Sequence, residues 1–271
     1  MVDAESKVLD PRDLPGELAD LVAGATLVPV VVGRSGSVVA RVVRPSGALI
    51  LKLVERGAAA PTLAPEAERL RWLHSRFPAP EVVLHGGDER AEWLVVTALE
   101  GADASATQLA TDPGRLATVL GQHLRRLHDE VDPAQCPFDA STASLVAHAR
   151  RQVAEGRIDP ADFQPIHHGL TAEEMLGHVE AVAPDEPTDP VVTHGDYCLP
   201  NVILLDDGSL SGVVDIGLLG VGDRYRDIGI GARSIAQNLG GAAVGAFVDG
   251  YGLDRPDLAR LDAFVMIDEL F

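Results

Sequence analysis

The sequence predicts an α+β chain in two lobes: a smaller first one built on antiparallel strands with a helix among them, and a larger, mainly helical second one. Three observations predict it. Up to about residue 97 the apolar residues come in short strand-like runs separated by turns of small residues. At Ala98-Leu99-Glu100-Gly101 the chain changes character, and beyond it helix-type periodicity prevails. Within the second part, two short apolar runs joined through Asp206-Asp207-Gly208 gather polar residues around their ends. The expected division is residues 1–97, a hinge at 98–101, and residues 102–271.

In the first part, Leu14, Leu18, Leu21 and Val22 have helical spacing, and this leading helix should end near Gly24. Val28-Pro29-Val30-Val31-Val32 and Val38-Val39-Ala40-Arg41-Val42-Val43 read as strands around Gly33-Arg34-Ser35-Gly36-Ser37. Such a small-residue turn can lay backbone N–H groups over phosphates, or it can simply join two strands. Ala48 to Val54 is an apolar strand with one embedded cation, Lys52. A lysine flanked by leucines needs a carboxylate to offset its desolvation, and the following helix offers Glu66 and Glu68. Pro78-Ala79-Pro80 should break that helix. Glu81 to His85 and Glu92 to Thr97 then read as a strand pair around Gly86-Gly87-Asp88.

In the second part, Leu116, Val119, Leu120, Leu124 and Leu127 share one helical face, with His123 and His128 bordering it as packing or capping residues. Adjacent His167 and His168, with no further spaced ligand, make a poor metal site. Thr171-Ala172-Glu173-Glu174 has the pattern of a capping box. A last amphipathic helix should start after Pro256 and run through Leu258, Leu261, Phe264 and Val265. It ends on Asp268-Glu269-Leu270-Phe271, where two side-chain carboxylates and a terminal one form an anionic patch.

Composition narrows the function. With 46% hydrophobic and 23% charged residues, 271 residues are ordinary globular material. A net charge of -19 disfavours nucleic acid and anionic membrane as partners and favours a cationic small molecule; solubility alone is the other reading of that charge. Two cysteines, Cys136 and Cys198, make no disulfide framework. No run approaches a membrane span, and Met1-Val2-Asp3-Ala4-Glu5 is unlike a signal peptide, so a cytoplasmic protein is expected.

The chemistry concentrates in His194-Gly195-Asp196-Tyr197-Cys198-Leu199-Pro200-Asn201 and Val213-Val214-Asp215-Ile216-Gly217. Asp196 and Asn201 lie five positions apart, and Asp215 follows Asn201 by fourteen. With the apolar run Val191-Val192-Thr193 leading in, and a hairpin of 202–205 and 210–214 between them, the three side chains can converge. Asp196 could accept the proton of an attacking hydroxyl, while Asn201 and Asp215 supply the oxygen ligands that Mg²⁺ prefers. That pattern is phosphoryl-transfer chemistry.

These two stretches resemble those of the aminoglycoside phosphotransferases, distant relatives of the protein kinases, in which H-G-D-x-x-x-x-N and D-x-G replace the kinases' H-R-D-x-x-x-x-N and D-F-G. Within that group the chain is most similar to the 3'-phosphotransferases. Leu219 to Ile228 and the terminal Asp268-Glu269-Leu270-Phe271 support the likeness. It implies a bilobal, protein-kinase-like fold and ATP-dependent transfer, with Mg²⁺, to a hydroxyl of an aminoglycoside, conferring resistance. It further implies the turn with Ser35 over ATP, Lys52 on the phosphates, and main-chain contacts from Thr97 and Leu99 to the adenine edge. Glu66, six positions before Trp72, is the implied partner of Lys52 over Glu68. Cys136-Pro137-Phe138-Asp139 would open the insertion that walls the acceptor site. Asp159, Asp162, Asp268, Glu269 and Phe271 would bind the cationic sugar, and Asp223 and Asp227 would brace the catalytic loop. Leu218 and Gln237 depart from the pattern, where relatives often have Arg and an acid. They leave open a kinase of the same fold acting on another hydroxylated small molecule or antibiotic. The intact set Lys52, Glu66, Asp196, Asn201 and Asp215 argues against a nucleotide-binding protein without catalysis.

Overall fold

The computed structural model describes residues 14, 16–30, 37–57 and 62–271. The chain forms two compact units, Met1–Glu100 and Gly101–Phe271.

The first unit contains helix α1 (Gly16–Val22), strands β1 (Thr26–Pro29), β2 (Val38–Val43) and β3 (Leu49–Glu55), helix α2 (Ala64–Leu73), and strands β4 (Val82–Gly87) and β5 (Ala91–Thr97). The strands make one antiparallel sheet in the order β1-β2-β3-β5-β4. Strand alternation sends Leu49, Leu51 and Leu53 into a core with Leu18 and Val22 of α1, Val42, Trp93 and Val95. Lys52 therefore points to the opposite face from its two leucine neighbours. The turn containing Ser35 lies outside the described residues.

Two expectations shift here. Helix α2 stops at Leu73, before Pro78 is reached: the N–H groups of Arg76 and Phe77 both turn back to the Leu73 carbonyl, and His74 Nδ1 meets the Ala79 carbonyl at 3.0 Å. Gly86 and Gly87 belong to β4, and the turn is made after them, where Asp88 Oδ1 accepts from the N–H groups of Arg90 and Ala91. Gly86 continues the strand because the Trp93 indole lies over it; a Cβ there would sit 3.0 Å from Trp93 Nε1.

The second unit contains β6 (Ala102–Asp103), α3 (Pro113–Glu130), β7 (Asp139–Ala140), α4 (Thr142–Ala154), α5 (Ala172–Val182), β8 (Val191–Thr193), β9 (Val202–Leu204), β10 (Leu210–Val213), β11 (Gly220–Gly222), α6 (Arg224–Leu239), α7 (Val244–Tyr251) and α8 (Leu258–Asp268). Helix α3 buries Leu116, Leu120, Leu124 and Leu127, each burial stabilising by about 1.5–3 kcal/mol. It packs against α7 at backbone distance: a Cβ on Gly121 would fall 2.2 Å from the Phe247 carbonyl. Helices α4, α5 and α8 enclose a separate core of Leu145, Ala149, Phe163, Met175, Val179, Phe264 and Ile267. The capping box of Thr171 and Glu174 opens α5 as expected. The predicted hairpin forms as β9 and β10, and it gains a third strand, β6, that its sequence does not announce. Among the described residues no helix is long and apolar enough to cross a membrane.

Candidate active site

The loop after β8 is fixed from beneath before it presents any side chain. Asp227, fully buried in α6, accepts from the His194 N–H at 2.6 Å, the Gly195 N–H at 2.8 Å and His128 Nε2 at 3.0 Å. Burial works to raise its carboxyl pKa, but His128, His194 and the Gly195 amide outweigh that and hold it below the ordinary value. His128 is held in turn by Tyr251, whose hydroxyl lies 2.8 Å from Nδ1. Gly195 has φ +93°, and a Cβ there would fall 2.4 Å from the Leu218 carbonyl, so this position admits only glycine without a shift of backbone. Tyr197 anchors the loop to α3 through the Leu120 carbonyl at 3.0 Å. His194 is fully buried; burial lowers its pKa, and its Nδ1 accepts the Asp196 N–H, so the ring is neutral with its proton on Nε2.

On this base the three expected residues come together. Asn201, in the 3₁₀ turn Leu199–Asn201, donates Nδ2 to Asp196 Oδ2 and to the Asp196 carbonyl, both at 2.9 Å. The Asn201 carbonyl accepts the Val214 N–H at 3.0 Å, which ties the end of the hairpin to the loop one residue before Asp215. Asp215 is exposed and has φ 59°, the only non-glycine positive φ among the described residues. Such a conformation costs on the order of 1 kcal/mol and persists where the surroundings hold it. Asp196 is half-buried. Burial first, then the charges of Asp268 and Asp215, push its carboxyl up to about 6, against the hydrogen bonds of Cys198 and Asn201. Among the described residues no three His, Cys, Asp or Glu gather as a metal site; Asn201 and Asp215 would have to share an ion with water.

In the first unit, Lys52 Nζ meets Glu66 at 2.7 and 2.9 Å, with both side chains mostly buried, while Glu68 is exposed. Thr97 is largely committed: its N–H goes to the Glu81 carbonyl and its Oγ1 accepts the Glu81 N–H, both at 2.9 Å, so its main-chain donor is already used. Leu99 forms no main-chain hydrogen bond among the described residues.

The expected acceptor residues divide. Asp159 and Asp162 are exposed in the 3₁₀ turn before Phe163, with Asp159 capping it through the Ala161 N–H. Asp268 is paired with Arg233, close enough to Asp196 to act on its charge. Glu269 is bound by Gln164 and His167. The Phe271 ring stacks on His148 at 4.5 Å, with the Arg226 guanidinium 5.7 Å from its centroid. Of the two bracing acids, only Asp227 touches the loop. Asp223 instead caps α6 through the Tyr225 N–H and pairs with Arg260 of α8, because an N-cap side chain faces back along its own helix. Sequence reasoning missed Arg233, Gln164, His167 and His148, whose only signal is the company they keep in space.

A five-stranded antiparallel unit followed by this loop-bearing helical unit defines a phosphotransferase of kinase-like fold. The phosphotransferase enzyme family APH matches residues 26–264. An aminoglycoside 3'-phosphotransferase of Streptomyces fradiae is 38% identical over 216 residues, covering 77% of this chain and 80% of the relative. The crystal structure of a type VIII aminoglycoside-3'-phosphotransferase is similar at a TM-score of 0.81 and 34% identity, over 92% of this chain and 94% of the other. Aminoglycoside phosphotransferase APH(3'')-Id from Streptomyces rimosus, solved in complex with ADP and streptomycin, is similar at a TM-score of 0.71 and 26% identity, over 88% and 93%. The chain belongs to the APH phosphotransferase family and groups there with the aminoglycoside 3'-phosphotransferases.

Proposed function

We propose that this enzyme transfers the γ-phosphoryl group of ATP to a hydroxyl of an aminoglycoside, of 3' type, and so confers resistance. The observation that carries this reading is the Asp196 carboxyl, raised to about 6 and hydrogen-bonded to Asn201. A base poised near neutrality is largely ionised at working pH, yet basic enough to take a hydroxyl proton as attack proceeds. The acceptor oxygen bonds to Pγ as the bridging oxygen leaves with ADP, and Asp196 takes the proton. No covalent enzyme intermediate is required, so catalysis is positioning and charge neutralisation.

Lys52, oriented by Glu66, holds the α- and β-phosphates. Leu99 through its main chain and Thr97 through its carbonyl contact the adenine. Asn201 and Asp215 fit a magnesium ion: Asn201 spends Nδ2 on Asp196 and so keeps its carbonyl oxygen for a ligand, and the Asp215 carboxylate is exposed to the water such an ion retains. When bound, that ion neutralises phosphate charge. On the acceptor side, Asp159, Asp162, Asp268 and Phe271 line the place of the aminoglycoside, the acids meeting its ammonium groups. The test is incubation of the enzyme with ATP, Mg²⁺ and a panel of aminoglycosides including kanamycin and neomycin, read by mass spectrometry. One added phosphate on a substrate is expected; ATP binding with no modified aminoglycoside would refute the acceptor.

A further inference from the structure

Two neighbouring residues of α6 reach the catalytic loop by different routes. Asp227 takes the amides of His194 and Gly195. Arg226, only 4% exposed, reaches the turn that follows Asp215, where its Nη1 donates to the Leu218 carbonyl at 3.2 Å. That carbonyl lies against Gly195, so closely that a Cβ on the glycine would fall 2.4 Å from it. The turn begins where the Val214 N–H meets the Asn201 carbonyl, closes through the Leu219 N–H to the Ile216 carbonyl at 3.0 Å, and ends in the pairing of Gly220 with Thr193. The same guanidinium lies over Phe271, 5.7 Å from the ring centroid, and the Phe271 ring stacks on His148 of α4 at 4.5 Å and 18°. Burial first, then the charges of Arg151, Arg226 and Arg157, lower the His148 pKa, so a neutral ring backs the phenyl group.

A guanidinium donates in its plane and offers a flat face to an aromatic ring, so one arginine can hold a carbonyl by its edge and a phenyl group by its face. A buried one needs such partners, because its charge has lost water. We infer that Arg226 is a positioning residue that couples the 216–219 turn behind Asp215 to Phe271, so that the metal side and the acceptor side of the site are set together. The proposal rests on the phosphotransfer reading above, in which Asp215 serves the metal and Phe271 lies beside the aminoglycoside. Without the guanidinium the Leu218 carbonyl loses a donor beside Gly195, and the Phe271 ring keeps the His148 stack on one side while losing the cation on the other. Each end is then free to move without the other.

The experiment is a double-mutant cycle in the full-length enzyme, pairing Arg226→Gln, and separately the milder Arg226→Lys, with Phe271→Leu. Hydrogen exchange across 216–222 reads the coupling without any acceptor, and KM for kanamycin and for ATP reads its consequence. Arg226→Gln is expected to speed exchange there about five- to tenfold, and Phe271→Leu about threefold although it lies on the far side of the guanidinium. In the double variant Phe271→Leu should add less than about 1.5-fold, since the link it acts through is gone. KM for kanamycin should rise about fivefold in Arg226→Gln, about threefold in Phe271→Leu and no more than about sixfold in the pair, with KM for ATP within about twofold throughout. Arg226→Lys should restore less than half of either effect, because a single ammonium cannot sit on the ring and reach the carbonyl at once. It also completes the cycle if the glutamine variant does not fold. Effects of the two sites that simply multiply overturn the coupling. So does exchange in 216–222 that Phe271→Leu leaves untouched, and so does full rescue by lysine, since charge alone would then be what matters. If no aminoglycoside is phosphorylated, the acceptor reading fails while the exchange cycle still decides the coupling.

Discussion

Two groups of acids in the second unit have similar letters and opposite circumstances. Among the described residues no arginine or lysine is bonded to Asp196, and the charges of Asp268 and Asp215 help raise its carboxyl to about 6. Asp227 and Asp223 are saturated with donors from histidines, amides or an arginine. A carboxylate whose partners are supplied by the fold holds structure. One left against other negative charge stores a demand for a cation or a proton, and that demand is what a phosphotransferase can use. Asp268 belongs to both groups: Arg233 pairs with it, yet its charge still reaches Asp196.

The strongest way to break this comparison is Asp196→Ala. It should lower transfer by about 10²- to 10⁴-fold while ATP binding, measured by calorimetry, is largely retained. Turnover at near the parental rate would move Asp196 into the structural group. Asp227→Ala tests the other side. It strands the His194 and Gly195 amides and His128 in the interior, and should cost about 3–5 kcal/mol in denaturant unfolding. A loss near zero would mean the loop is held by something else.

What the sequence made legible was whatever is local in it. Asp196, Asn201 and Asp215 lie within twenty residues, with one turn and one hairpin between them, so strand periodicity and the Asp-Asp-Gly turn were enough to bring them together. Lys52 and Glu66 are similarly a strand and the next helix apart. Glu269 meets Gln164 across 105 positions, and no periodicity in either segment records it. Asp223, like Asp227 a support by resemblance, serves elsewhere than the loop contacts of Asp227: its place at the N-cap of α6 directs it to the Tyr225 amide and to Arg260. The end of α2 at Leu73 was missed because the turn that closes it is made by backbone bonds to the Leu73 carbonyl, while the visible prolines come later.

Asp196→Asn separates function from stability. The folded carboxyl titrates near 6 against an ordinary 3.8, so the folded protein carries a penalty for its charge that grows as pH rises from about 4 and is complete above 6. Removing the charge should stabilise the ligand-free protein by about 1–3 kcal/mol at pH 7.5, and by progressively less as pH falls toward 4. Thermal unfolding at pH 4.5 and 7.5 checks it; equal effects at both would mean that burial and the acidic neighbours do not act on Asp196 as described. The variant should be inactive as well.

The smallest effect is the sharpest test of Asp268. Transfer requires ionised Asp196, so kcat/KM should fall on its acid limb as Asp196 takes up a proton, at or below the pH of about 6 set by the ligand-free site, because Mg²⁺ offsets the Asp215 charge. Asp268→Asn removes a negative neighbour and leaves Arg233 without its carboxylate, and the Arg233 charge also acts on Asp196. Both changes favour the ionised base, so the acid limb should move to lower pH even as KM for the aminoglycoside rises. A pH profile of kcat/KM taken with saturating ATP reads the two consequences separately. A limb that stays in place or moves to higher pH would show that Asp268 serves the acceptor alone and has no electrostatic hold on the base.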